Sequence, residues 1–215
     1  SLSSRHPVYS ISEQSLEAIR LHRGATGNAG KAIDSEALQQ VGIEDAEHRL
    51  RAYPHQFSGG MRQRAMIAMA LACQPRLLLA DEPTTALDVT VQKQILDLIG
   101  SLKEEHDMAA VLITHDLGVV AEYADVVCVM YAGRVVEYAT TSTIFQRPLH
   151  PYTRGLLACI PTLDPAQSAE KDLVTVSEVV NDPGQWEGFA GRIGHTEAKD
   201  LRPWWPWHDA PSDVV

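Results

Sequence analysis

The sequence predicts an α/β fold in which helices alternate with strands of a parallel sheet, and three observations carry that prediction. Two short apolar runs, Leu77-Leu78-Leu79-Ala80 and Ala109 to Thr114, are unbroken by polar residues, as expected of strands covered on both faces. Between them Val91, Ile95, Leu98, Ile99 and Leu102 recur at helical spacing and define one apolar face. The order strand, helix, strand, helix then implies a parallel layered architecture. With 215 residues, 45% of them apolar, the chain can bury a real core.

Residues 1 to about 60 read as short helices joined by polar loops. Ser10 and Glu13 have capping-box spacing, and Leu16, Ile19 and Arg20 follow as an amphipathic turn. A glycine-rich loop, Gly24 to Gly30, is expected to link this helix to a second over Lys31 to Val41, with Gly42 as its terminating glycine. Met61 to Cys73 is apolar at helical spacing and is stopped by Gln74-Pro75. The helix carrying Val91 to Leu102 is expected to end near Glu105. Val126 to Tyr131 and Val135 to Tyr138, joined by Ala132-Gly133-Arg134, read as a hairpin. Beyond Tyr138 the chain is punctuated by proline, with a helix from Pro151 through Leu157. The segments divide as 1–60, 61–140 and 141–215.

Composition excludes several classes. A net charge of −10 argues against a nucleic-acid partner, which demands a basic face. No apolar stretch approaches the roughly 20 residues needed to cross a bilayer, and no charged-then-apolar leader opens the chain. The first residue is Ser1, and the opening reads as that of a truncated chain. Cys73, Cys128 and Cys159 form no CxxC pair, so neither a zinc site nor a disulfide framework is indicated, and buried free thiols are expected.

The chemistry-bearing residues fall at the ends of these elements. Ser58-Gly59-Gly60 directly precedes a helix, whose unpaired N–H groups attract an anion, while glycine permits close backbone approach and unusual dihedrals. Taken alone, this triplet is an ordinary turn. Its place in the chain adds weight, because the next strand delivers Asp81 and Glu82 at its carboxyl end, the edge where open α/β sheets bind ligands. Asp81 is suited to hold Mg²⁺ together with phosphate oxygens, and Glu82 to act as general base on a water. The second strand ends in Thr114-His115-Asp116, which the parallel arrangement would set beside Glu82. There the imidazole could contact a γ-phosphate and orient the water. Asp88, in the loop after the acidic pair, could reach across an interface.

Together these residues resemble the ATP-binding-cassette (ABC) ATPases. Phe57-Ser58-Gly59-Gly60-Met61-Arg62-Gln63-Arg64 resembles the signature motif, with Phe57 and Met61 in place of the commoner Leu and Gln. Leu77 to Glu82 is similar to the Walker B strand with its catalytic glutamate, Thr85-Ala86-Leu87-Asp88 to the D-loop, and Thr114-His115-Asp116 to the switch histidine. Tyr53 to Arg64, Asp81 to Val91, and His150-Pro151-Tyr152-Thr153 with Leu156-Leu157 and Ile160-Pro161 are further similar to the ATPases of oligopeptide, dipeptide and nickel importers. The resemblance spans residues 1 to about 161, and Pro7-Val8-Tyr9 fits the segment after the glutamine loop. It implies the C-terminal part of a P-loop NTPase domain: a helical subdomain, a parallel-sheet core segment and a C-terminal extension. It implies ATP and Mg²⁺ as cofactors, with Asp81 on the metal and Glu82 and His115 catalytic. Ser58, Gly59, Gly60, Met61 and Asp88 would then meet the nucleotide across a dimer interface. The implied partners are a second ABC ATPase subunit, transmembrane permease subunits and, indirectly, a solute-binding protein, at the cytoplasmic face of the inner membrane.

The family's phosphate-binding loop, GxxxxGK[ST], has one local look-alike, Gly24 to Ala32. It fails because Ala25 stands where the first glycine belongs, Ala32 offers no hydroxyl, and no buried strand precedes it. The glutamine-loop residue is absent too, so the chain alone is expected to hydrolyse no ATP. The tail departs from relatives that carry a cysteine-containing cluster segment, since no cysteine follows Cys159. His195 and His208 are isolated, and Trp204, Trp205 and Trp207 read either as packing or as a docking patch. Two other readings stand beside the importer subunit. One is a soluble, non-transport ABC ATPase, disfavoured by the lack of long heptad coils and by the acidic balance. The other is a non-catalytic docking module.

Overall fold

Helix α1 (Ile11–Arg23) starts at a reciprocal cap: Ser10 Oγ accepts from the Glu13 N–H at 3.3 Å, and Glu13 Oε2 accepts from the Ser10 N–H at 2.7 Å. Two otherwise orphaned donors are thereby satisfied, and the same bonds hold the Glu13 carboxyl below its usual value. The computed structural model describes residues 8–160. Backbone contacts divide the chain into two units, residues 1–115 and residues 116–215. His195, Trp204, Trp205, Trp207 and His208 lie outside the described residues.

In the first unit, α2 (Gly27–Gln40) begins at Gly27 rather than Lys31. The expected loop over Gly24 to Gly30 is therefore half helix. Gly24, at φ +66°, closes α1, and Gly30 sits buried where a Cβ would stand 3.0 Å from Leu16 Cδ2. Glycine is needed here for close packing of α1 on α2, and not for a phosphate. Helix α2 ends as expected, with Ile43 N–H donating to Leu38 O at 3.0 Å and Gly42 N–H to Gln39 O at 2.9 Å, the paired bonds of a Schellman terminus. A short α3 (Ala46–Arg49) and a 3₁₀ turn (Pro54–Gln56) lead into α4 (Gly59–Leu71). Ile11, Ile19, Leu38, Val41, Phe57, Ala65 and Ala68 form one buried cluster with Ile95 and Leu102 from the following helix.

Strand β1 (Leu77–Asp81), helix α5 (Val89–Glu105) and strand β2 (Ala109–Ile113) complete the unit. The strands pair in parallel, from Leu77 opposite Ala109 to Asp81 opposite Ile113, so both carboxyl ends lie at the same edge. Burial on both faces does not hold. Leu78 and Ala80 face the helices and are buried, whereas Leu79 is 66% exposed, and Leu77, Val111 and Ile113 are exposed with it. Successive side chains point to opposite faces, and within the first unit it is the face of Leu78 and Ala80, with Ala110 and Leu112 beside them, that joins the core cluster.

In the second unit, α6 (Leu117–Tyr123) is capped by Asp116, whose Oδ1 accepts from the Gly118 and Val119 N–H groups at 2.8 and 3.3 Å. Strands β3 (Val126–Tyr131) and β4 (Arg134–Thr140) form the expected antiparallel hairpin. The turn is two residues long, with Ala132 at φ +47° and Gly133 at +76°, the twist-compatible choice for a tight hairpin. Two helices follow, α7 (Thr141–Gln146), not foreseen in the sequence, and α8 (Pro151–Ala158). The thiols also differ from expectation, because Cys128 and Cys159 are exposed and only Cys73 is half-buried. Cys128 shares the exposed face of β3 with Val126 and Met130, since alternate side chains of a strand point the same way.

Candidate functional site

At the carboxyl edge of the parallel pair, Glu82 continues the ladder by donating its N–H to Ile113 O at 2.9 Å. That bond carries Glu82 to the level of His115 on the neighbouring strand's exit. Glu82 Oε1 meets His115 Nδ1 at 3.1 Å, and Oε2 accepts from Thr85 Oγ1 at 3.0 Å. Both carboxylate oxygens are thus held. The His115 bond, then the Thr85 bond, pull the Glu82 carboxyl below the ordinary glutamate value, so it is ionised at neutral pH. Glu82 adopts φ +45° and Ala86 φ +65°, left-handed conformations that non-glycine residues adopt at a cost and that cluster at functional sites.

Because the carboxylate accepts at both oxygens, His115 Nδ1 is the donor in that contact. Its other nitrogen, Nε2, is then an acceptor in neutral imidazole and a donor only in imidazolium. Donation to a phosphate oxygen therefore requires the protonated ring. Asp81 stands at the last position of β1, exposed. No cluster of three or more His, Cys, Asp or Glu side chains among the described residues could hold an ion unaided. An exposed carboxylate of this kind could offer Mg²⁺ one ligand, with phosphate oxygens and water supplying the rest.

The glycine turn differs in detail from the sequence reading. Ser58 is the N-cap of α4, its Oγ accepting from the Met61 N–H at 3.3 Å. Gly59 and Gly60 are the first helical residues, and neither has a positive φ. The reading of unusual dihedrals is therefore corrected. Their N–H groups lie in the first helical turn, where donors lack intrahelical partners. Met61 begins to enter the core and is half-buried. Asp88 caps α5, with Oδ1 accepting from the Val91 N–H at 3.0 Å.

Four residues carried no site role of their own in the sequence reading. Thr85 holds Glu82, as described. Arg62 Nε donates to Pro54 O at 2.8 Å and to Phe57 O at 3.0 Å, bracing the loop that enters the turn. Val91 and Leu87 pack against the glycines: a Cβ at Gly60 would stand 2.7 Å from Val91 Cγ1, and one at Gly59 would stand 3.1 Å from Leu87 Cδ2. The Thr85 and Val91 spacings, three residues from Glu82 and from Asp88, were visible in the sequence. Nothing in the sequence revealed that Arg62 turns back toward carbonyls behind it.

A glycine turn opening a helix, an acidic pair ending one parallel strand and a histidine ending its neighbour define the class: part of an ABC-type nucleotide-hydrolysing domain. The comparisons with known proteins take this further. Residues 4–85 match the ABC transporter family and residues 136–185 the oligopeptide/dipeptide transporter C-terminal region. The chain is 52% identical to the oligopeptide transport ATP-binding protein OppD of Haemophilus influenzae over 81% of its own length and 53% of the relative's. It is 53% identical to the peptidoglycan transport ATP-binding protein YejF of Agrobacterium fabrum over 80% of its own length and 32% of the relative's. Among solved structures, a dimeric ATP-binding cassette in a post-hydrolysis state, bound to ADP and Pi, superposes with a TM-score of 0.55 at 31% identity. That match covers 64% of this chain and 59% of the other. The chain thus carries an ABC transporter domain and an oligopeptide/dipeptide transporter C-terminal region. It spans about half or less of the length of these curated relatives.

Proposed function

We propose that this chain is the signature-bearing and hydrolytic portion of an ABC importer subunit that couples ATP hydrolysis to uptake of oligopeptides, dipeptides or a related solute. The observation that carries the reading is the Glu82–His115 contact of 3.1 Å at the carboxyl edge of the parallel strands. Glu82, ionised and oriented by His115 and Thr85, accepts the proton of a water attacking the terminal phosphate of ATP. His115 presents Nε2 to the phosphate, and Asp81 is the ligand offered to Mg²⁺. Bound Mg²⁺ would neutralise the charge that develops on the phosphates. Ser58, Gly59, Gly60 and Met61, with Asp88, serve the nucleotide of a second ATPase subunit, whose own turn completes the site belonging to this one.

The remaining assignments follow the same reading. Residues 1–60 are the helical portion that presents the turn, 61–140 part of the hydrolytic core, and 141–215 an extension. Permease subunits dock on the assembly at the cytoplasmic face of the membrane, and a solute-binding protein acts indirectly through them. No helix among the described residues is long and apolar enough to cross a membrane, which suits a peripheral subunit. The look-alike phosphate loop at Gly24 to Ala32 opens a helix by packing against Leu16, which supports the expectation that residues 1–215 alone turn over no ATP. The test compares Mg-ATP hydrolysis by residues 1–215 with hydrolysis by the chain extended upstream through a phosphate-binding loop. Background rates for the first and steady turnover for the second are expected. Turnover by residues 1–215 alone would contradict the division of labour proposed here.

A further inference from the structure

We propose that Val91 is a positioning residue that fixes the Ser58–Gly60 turn against the segment bearing Asp88, by filling the space a side chain at Gly60 would need. This rests on the function proposed above, in which the turn and Asp88 both face a second subunit's nucleotide. A Cβ at Gly60 would approach Val91 Cγ1 to 2.7 Å, closer than real Cβ contacts come. Gly59 is similarly tight against Leu87 Cδ2, at 3.1 Å. Both glycines are helical with negative φ, so backbone conformation gives no reason for glycine at either position. Close packing does.

Val91 cannot easily yield. A β-branched side chain in a helix has essentially one χ1 rotamer, and the Val91 N–H is tied to Asp88 Oδ1 at 3.0 Å. Val91 also packs, half-buried, on the main core cluster. Leu87 and Val91 flank Asp88 in the chain, so the two contacts mount the turn on the residues around Asp88. A shift of the turn on meeting nucleotide is thereby transmitted to Asp88 through rigid contact rather than through a flexible loop.

The test is a size swap read in two ways. In residues 1–215, thermal unfolding is measured for Gly60→Ala, Val91→Ala and the double variant. Gly60→Ala should lower Tm by several degrees in the parent chain and by little or nothing in the Val91→Ala background. Equal losses in the two backgrounds would overturn the contact. If Gly60→Ala does not fold at all, folding of the double variant supports the contact and its failure to fold overturns it. The positioning role is read from turnover in the chain extended upstream. Gly60→Ala should lose at least about tenfold in kcat, and the double variant should recover most of that with KM for ATP little changed. A double variant that folds but stays as inactive as Gly60→Ala would show the glycine serving the nucleotide alone and would overturn the role. No turnover in the parent extended chain would overturn the proposed function and the positioning role with it, while the Tm comparison would still decide the contact.

Discussion

Glu82 sits in a left-handed backbone conformation with each carboxylate oxygen bound to a different side chain, and that arrangement sets what single substitutions there do. Thr85→Val removes the bond to Oε2 while keeping the side chain's shape. It should lower turnover of the extended chain by roughly five- to tenfold, with Thr85→Ser restoring most of the loss; steady-state ATPase kinetics check both. A loss unrestored by serine would mean that the methyl group matters and the hydroxyl does not. The acidic pair and the histidine were legible in the sequence because a buried apolar run must end at a sheet edge, and parallel strands share that edge. Thr85 was quoted there only as part of a D-loop resemblance, since a hydroxyl's bonding partner is decided by the turn that carries it. The turn's left-handed Glu82 and Ala86 leave no signal in residue type.

Among the elements, α8 shows what a short sequence motif can be for. His150 caps the helix, its Nδ1 accepting from the Tyr152 N–H at 3.1 Å, and Pro151 takes the first helical position. Glu137 on β4 accepts from the N–H groups of Leu149 and His150 at 2.8 and 3.0 Å. The rings of Tyr131 and Tyr152 meet with centroids 4.2 Å apart. His150→Ala should destabilise the second unit by about 1 kcal/mol through the lost cap, and by more through the space left behind; denaturant unfolding checks this. Burial lowers the His150 pKa from 6.5 to about 4, opposed by the pull of Glu137. The folded state therefore excludes a proton that the unfolded chain takes up below pH 6.5. This contribution to stability is complete above that pH and is lost as pH falls toward about 4. His150→Asn, which can cap without titrating, should flatten that slope in a pH series of unfolding midpoints. The sequence marked where α8 begins, because proline at the first position is a local signal, but α7 escaped because its six residues carry no periodicity long enough to read.

Across the whole molecule, the sequence reading succeeded where physics is local or repetitive and missed where it depends on neighbours. Alternating strands and helices, the capping box at Ser10 and the hairpin turn at Gly133 are local decisions, and all are observed. The exposed side of β1 and β2 was not foreseeable, because an apolar run states that a strand can be covered on both faces, not that the covering layer is at hand. The glycines at 59 and 60 were read for phosphate contact, whereas their fit against Leu87 and Val91 depends on a loop and the helix it enters, about thirty residues away in sequence. In the proposed function Glu82, oriented by His115, is the base for ATP hydrolysis. That role is tested most directly by Glu82→Gln in the chain extended upstream, measuring nucleotide binding and Mg-ATP turnover on the same preparation. The expected result is ATP bound as tightly as by the parent with turnover reduced by at least about a hundredfold. Turnover retained at the parent's level would contradict it.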